Sequence, residues 1–245
     1  MRTLVVPDLH VPFNDKNHTK ALFKFIRKCK PHKIILLGDV MDLHALTVHR
    51  QVPSWQDRLE EEVNAGIEFL EKLRKAAGPK CAITYLKGNH EDRWDRQVQG
   101  RLPALRLVGC RLPVYLELDR LGIRWVEDAS RTPIRTETGQ GQKVRFMHGH
   151  EIKGSSRTPA GHALKIAKLL GENIHIGHTH RMGMLMAPRT TGGRRVELFA
   201  IEGGLLADMK SAALSYAGPA PEWCSSWMVY DSKDNTSPYP KIHKP

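Results

Sequence analysis

"CAITYLKGNHEDRWDR", residues 81–96, carries an apolar run straight into a glycine, an asparagine and a histidine. Cys81 to Leu86 has the β-branched and aromatic content of a strand, so Gly88, Asn89 and His90 fall where that strand must end. Gly-Asn is ordinary turn chemistry, and a histidine beside it can simply cap or pack. Here, however, the same design recurs. "RTLVVPDLH" (2–10) closes on Asp8 and His10, and "KIILLGDVMD" (33–42) closes on Asp39 and Asp42. "FMHGH" (146–150) closes on His148 and His150, and "HIGHTH" (175–180) closes on His178 and His180.

Helical patterns separate the first three of these runs. Asp15 to Lys30 sets Leu22, Phe23, Ile26 and Cys29 at helical spacing, and Asp57 to Ala77 sets Val63, Ile67, Leu70 and Leu73 on one stripe. Strands alternating with amphipathic helices predict an α/β fold with a parallel sheet built from right-handed crossovers. Further strands are predicted at Ile123–Val126, Lys143–Met147, Asn173–Ile176, Met182–Met186, Val196–Ile201 and Ser226–Tyr230, with a helix at Ala160–Leu170. Pro238, Pro240 and Pro245 make the tail a poor helix or central strand, so it is expected to lie extended across the surface. No internal repeat divides the chain. Residues 1–245 are read as a single domain, with 203–245 as a loop and a C-terminal strand and tail extension.

Composition narrows the function classes. Hydrophobic residues at 40% and charged residues at 26% are a globular balance, which excludes a disordered chain. The longest apolar stretches fall far short of the roughly 20 residues a membrane helix needs. The start lacks a signal peptide's apolar core, so a cytoplasmic protein is expected. Cys29, Cys81, Cys110 and Cys224 are too scattered for a zinc knuckle or disulfide framework and are expected to be reduced. The net charge of +12 attracts phosphate-bearing partners, small or polymeric, nucleic acid among them. Much of it lies between Lys16 and Lys33, where a solvated helix face is the first explanation.

Each strand-end residue taken singly has a plain explanation as a cap, a turn former or a packed histidine. Together they do not, because five strand ends carry residues of one chemical type and glycine precedes Asp39, Asn89, His150 and His178. Loops leaving parallel strands share the carboxyl edge of the sheet, where ligands bind. Carboxylates, imidazoles and an amide oxygen suit borderline divalent metals such as Mn²⁺, Fe²⁺ or Zn²⁺. Eight ligand-type residues, Asp8, His10, Asp39, Asp42, Asn89, His148, His178 and His180, exceed one ion's needs and imply two, with Asp39 the natural bridge. In an extended chain Asp8 and His10 would point to one side, as would His178 and His180, so each pair is expected to grip one centre.

The ordered set D-x-H, G-D-x-x-D, G-N-H-E, H-G-H and G-H-T-H resembles the calcineurin-like metallophosphoesterase superfamily over residues 8–180, in the form of its compact bacterial and phage-encoded phosphodiesterases. The resemblance implies a four-layer α/β/β/α sandwich of two mixed sheets and a dimetal centre. By that resemblance Asp8, His10 and His180 would hold one metal, and Asn89, His148 and His178 the other, with Asp39 bridging. Manganese is favoured, with iron, zinc or nickel as the other candidates. A metal-bridging hydroxide would attack the phosphoryl group while His90, oriented by Asp42, protonates the leaving oxygen.

One departure bears on substrate. Superfamily protein phosphatases carry an arginine directly after G-D-x-x-D, and here Leu43 stands there. Arg93 and Arg96, or Lys153, Arg157 and Arg181, are the alternative phosphate clamps, and His150 is expected near the metals without binding them. Arg93, His150 and Arg181 are the named substrate-binding candidates, while His44 and His49 read as loop residues. The leading expectation is an enzyme, a metal-dependent phosphodiesterase hydrolysing small nucleotide diesters, 2′,3′-cyclic nucleotides first. A metal-dependent DNA or RNA nuclease is the alternative from the same chemistry, and a non-catalytic metal-stabilised scaffold the alternative from another class. Specificity would lie in the loops 43–57 and 203–223.

Overall fold

The computed structural model describes residues 1–48, 58–101, 104, 109–191, 194–217 and 222–245. His49 and most of the 43–57 loop, together with residues 218–221 of the second specificity loop, lie outside the described residues.

Two mixed sheets face each other. The first contains β1 (Arg2–Val6), β2 (Lys33–Leu36), β3 (Ala82–Leu86), β4 (Ile123–Val126), β10 (Trp227–Asp231) and β11 (Lys241–His243), in the order β11-β10-β1-β2-β3-β4. β1 to β4 run parallel, with Val6 beside Leu36 and Leu36 beside Tyr85, so their carboxyl ends are level. The second sheet contains β5 (Ile134–Glu137), β6 (Lys143–Met147), β7 (Asn173–Ile176), β8 (Met182–Thr191) and β9 (Arg194–Gly203), in the order β5-β6-β7-β9-β8. Here β6, β7 and β9 are parallel, with Met147 beside Ile176 and Ile176 beside Glu202.

Alternation along each strand builds the layers. Leu4 and Val6 of β1 join Ile34, Leu36, Ile83 and Tyr85 under the helices α1 (Lys16–Cys29) and α2 (Leu59–Ala77), which contribute Leu22, Ile26, Phe69 and Leu70. Val5, Ile35 and Leu37 point the other way, into a core shared with Val144, Phe146, Ile174 and Ile176 of the second sheet. A third long helix, α3 (Gly161–Leu170), adds Ala163, Ile166 and Ala167 to that core. The architecture is therefore the expected α/β pair of mixed sheets flanked by helices. Each such fully buried aliphatic side chain contributes about 1.5–3 kcal/mol.

Several boundaries differ from the sequence expectation. β8 and β9 form a longer hairpin than predicted, paired from Met182 opposite Gly203 to Thr191 opposite Arg194. β5 was not predicted, being only four residues long with two of them exposed. The tail does more than lie extended: Lys241–His243, between Pro240 and Pro245, pairs antiparallel with β10 as an edge strand. No helix among the described residues is long and apolar enough to cross a membrane.

Candidate metal centre

The strand ends are drawn together by backbone and carboxylate contacts. The N–H groups of Leu9 and His10 both donate to Asp39 O at 2.9 Å, joining the loop after β1 to the loop after β2. Glu91, buried at 1% exposure, accepts from the N–H of Asp39 (2.9 Å), Met41 (3.0 Å) and Gly88 (2.8 Å) and from the hydroxyl of Tyr85 (2.6 Å). One carboxylate thus ties the end of β2 to the end of β3. A Cβ at Gly88 would overlap the Asp39 carboxylate and backbone, and one at Gly177 would overlap the Asp8 carboxylate, so glycine is needed for these close approaches.

Within this frame Asp8, His10, Asp39 and His180 bring their ligand atoms within 4.8 Å of one another, and Asp39, His148 and His178 do the same. Asp39 belongs to both clusters. The Asn89 amide oxygen joins the second at 2.9 Å from His148 Nε2. His90 lies beside them, with its Nε2 3.8 Å from Asp39 Oδ2 and its Nδ1 2.9 Å from the Asp42 carbonyl oxygen.

Residues 1–183 match the family profile described as Calcineurin-like phosphoesterase. The chain belongs to the calcineurin-like phosphoesterase family. Membership makes it a metal-dependent phosphoester hydrolase. The chain is 26% identical over 239 residues to the Gene 54 protein of Mycobacterium phage L5, covering 93% of this chain and 88% of that one. The Gene 54 protein of Mycobacterium phage D29 is 27% identical over 235 residues, covering 92% and 87%. Among solved structures it is similar to YfcE, a phosphoesterase from E. coli, with 16% identity, 94% and 88% coverage and a TM-score of 0.45. Vps29 from Entamoeba histolytica complexed with zinc matches with 14% identity, 99% and 97% coverage and a TM-score of 0.46.

Calcineurin-like phosphoesterases typically bind two divalent metals, and the donor set here fits such ions. His148 Nδ1 faces Leu37 O at 2.9 Å, an atom that only accepts, so Nδ1 carries the hydrogen. In the neutral ring His148 Nε2 is then a lone pair, yet it faces the Asn89 oxygen at 2.9 Å and Asp39 Oδ2 at 3.4 Å. His10 donates from Nδ1 to Asp42 Oδ2 at 2.9 Å, and its Nε2 lies opposite His180 Nε2 at 3.0 Å, a pair in which one imidazole can donate to the other. An acceptor facing acceptors in a buried site, as His148 Nε2 does, needs a proton or a cation between them. The titrating groups express the same demand. Burial opposes charge at Asp39, but His148 and His90 hold its carboxyl well below the usual range. Burial likewise opposes a charged His148, yet Asp39 and Asp8 raise it to about 10. His178 goes the other way, pushed down to about 4 by burial and by His148, which leaves it a neutral ligand.

The pairing of histidines differs from the extended-chain expectation. His10, His178 and His180 have φ of 51°, 64° and 59°, left-handed values that end the alternation of period two. His178 therefore turns to the cluster of His148 while His180 turns to that of Asp8 and His10, so this pair is split between the two clusters.

Three of the five clamp candidates, Arg93, Arg96 and Arg181, are engaged with the protein, while Lys153 and Arg157 are exposed. Arg93 donates to the Asp42 carbonyl at 2.8 Å and lies 3.1 Å from His90 Nε2, and Arg96 reaches Asn89 O at 3.2 Å. Arg181 Nε is 3.4 Å from the buried carboxylate of Glu202. His150 sits with its ring 5.2 Å from that of His148 and its Nε2 3.3 Å from Asp92. His44, read as a loop residue, is instead buried in a short 3-10 turn, His44–Leu46, with Nδ1 3.6 Å from Asp42 Oδ1. Sequence reasoning gave no role to Glu91, Glu202 or His162, although Glu91 stood inside the quoted G-N-H-E stretch.

Proposed function

We propose that the protein is a dimetal phosphodiesterase of small nucleotide diesters, with 2′,3′-cyclic nucleotides preferred and manganese the favoured metal. The observation that carries this reading is Asp39 common to two ligand clusters, with His90 at their margin. Asp8, His10 and His180 would hold one ion, Asn89, His148 and His178 the other, and Asp39 both. Bound there, the ions supply Lewis acidity and activate water for in-line attack.

The protein's own groups handle the leaving oxygen. Asp42 orients His90 by accepting from its Nδ1 at the main-chain carbonyl oxygen, 2.9 Å away, with its carboxylate, which His90 and His10 hold well below the usual range against burial, 3.4 Å from the same nitrogen. When substrate phosphate draws the Arg93 guanidinium from His90 Nε2, that nitrogen takes up a proton from solvent and gives it to the departing alkoxide. The diester preference follows from charge. Leu43 is fully buried in the apolar core, and Arg93 is already shared between Asp42 and His90. With Arg93 drawn to the first charge of the phosphate, a monoester's second negative charge finds no cation at the Leu43 position. The four cysteines are free, which suits a reducing compartment such as cytoplasm.

A nuclease reading has one observation in its favour. α1 carries Lys16, Lys20, Lys24, Arg27 and Lys28 and no acidic residue, and Lys16, Lys20 and Arg27 line a cavity of about 280 Å³ between α1 and α2 with Phe23 and Phe69. Such a surface binds polynucleotides in a salt-sensitive way without placing a phosphate at the metals.

A hydrolysis panel on the manganese-loaded protein tests the choice: aryl monoester, aryl diester, 2′,3′- and 3′,5′-cyclic nucleotides, and single- and double-stranded DNA. The small diesters should turn over fastest. Rapid DNA digestion with negligible small-diester turnover would make the protein a nuclease.

A further inference from the structure

We propose that Glu202 and His162 form a brace that sets the spacing of the two histidine loops, and with it the spacing of the two metal positions. The inference rests on the metal reading above but concerns residues outside the ligand set.

Glu202 lies near the end of β9 with 0% exposure. Its Oε2 accepts the Thr179 hydroxyl at 2.8 Å and meets Arg181 Nε at 3.4 Å, while Oε1 accepts the His162 N–H at 3.3 Å. Thr179 stands between His178 and His180, and Arg181 follows, so this single carboxylate grips the G-H-T-H turn on both sides of His180. His162 completes the link: buried at 3% exposure, its ring Nε2 donates to Gly149 O at 3.0 Å, between His148 and His150.

Two features say why such a brace is needed. His178 and His180 both hold left-handed φ, a conformation that persists only where surrounding contacts over-determine it. The first turn of α3 also starts without a side-chain cap, since Ala160 precedes it at φ 61°. Glu202 supplies an acceptor to the buried first-turn N–H of His162. Helix, turn and H-G-H loop are thus joined through one buried carboxylate and one imidazole. Glu202 and His162 touch no ligand position directly, so their effect on metals is through position.

The test uses metal-free protein, verified as folded by circular dichroism, titrated with Mn²⁺ while free and bound manganese are read by electron paramagnetic resonance. Glu202→Gln should weaken manganese affinity by about 10–100-fold, the range for residues that orient metal ligands. Its spin-coupled pair signal should give way to that of isolated ions. Thr179→Val, which removes one hydroxyl, should do the same to a smaller extent. His162→Phe should loosen the pair, and His162→Gln, which keeps a donor, should recover part of it. Folded Glu202→Gln and Thr179→Val proteins with wild-type affinity and an unchanged coupled spectrum would overturn the brace. If Glu202→Gln does not fold, Thr179→Val decides alone. A wild-type protein that never takes up a second ion would instead overturn the metal reading itself.

Discussion

The guanidinium of Arg93 lies 3.1 Å from Nε2 of His90. A guanidinium only donates, so Nε2 is the accepting nitrogen and Nδ1–H is the one that donates to the Asp42 carbonyl oxygen at 2.9 Å. Burial pushes His90 down, Asp39 and Asp42 more than compensate and raise it, and Arg93 pulls against them. Removing that cation therefore raises the pKa of His90 further. Arg93→Ala should move the high-pH limb of the kcat/KM profile to higher pH, with a loss of substrate affinity. A limb that stays in place or moves down would separate Arg93 from His90 in the reaction.

His90→Ala should cost about 10²-fold or more on esters with poor leaving groups, the scale of general-acid assistance. A nitrophenyl ester, whose leaving group needs no proton, should lose less. Equal losses on the two would assign His90 a different task.

Asp39 contributes to both clusters. Asp39→Ala should lose both ions, or nearly all activity, by metal analysis and turnover of the folded variant. Full metal content with full activity would remove Asp39 from the bridging role.

His148, raised to about 10, holds its second proton at neutral pH in metal-free protein. An ion must displace that proton to reach Nε2, so binding at pH 7 should release about one proton and tighten as pH rises. Calorimetry in two buffers of different ionisation heat measures the release, and identical heats in both would contradict it. The sign for folding follows from the same shift. A histidine raised in the folded state adds stability to the metal-free fold that is fully present below its ordinary pKa and is lost as pH rises through about 10. Metal-free protein should accordingly melt at lower temperature above that pH than near neutrality.

Gly88→Ala places a methyl group against the Asp39 carboxylate and backbone. Overpacking of this kind costs about 1–3 kcal/mol. The variant should melt lower and bind metal more weakly, as thermal denaturation and manganese titration would show. Unchanged melting and affinity would mean that the Asp39 loop gives way freely.

Patterns local to a few residues were legible without any structure. Ile123–Val126, Lys143–Met147 and Asn173–Ile176 are strands with the predicted bounds, because apolar content and flanking turn residues are properties of the segment itself. The kind of chemistry was legible too, since Asp, His and Asn at successive strand ends need only the rule that parallel strands deliver their loops to one edge. What the tertiary structure decided is partnership across the chain. The split of His178 from His180 comes from left-handed backbone in a turn pressed against Asp8, whose carboxylate accepts the His178 N–H at 3.0 Å from 170 residues away. The sequence assigned no role to Glu202, nor to Glu91 beyond its place in the G-N-H-E stretch. Their burial follows from the donors that surround them, which for Glu91 come from the ends of β2 and β3 and for Glu202 from the turn after β7 and the start of α3, segments that only the folded chain brings together.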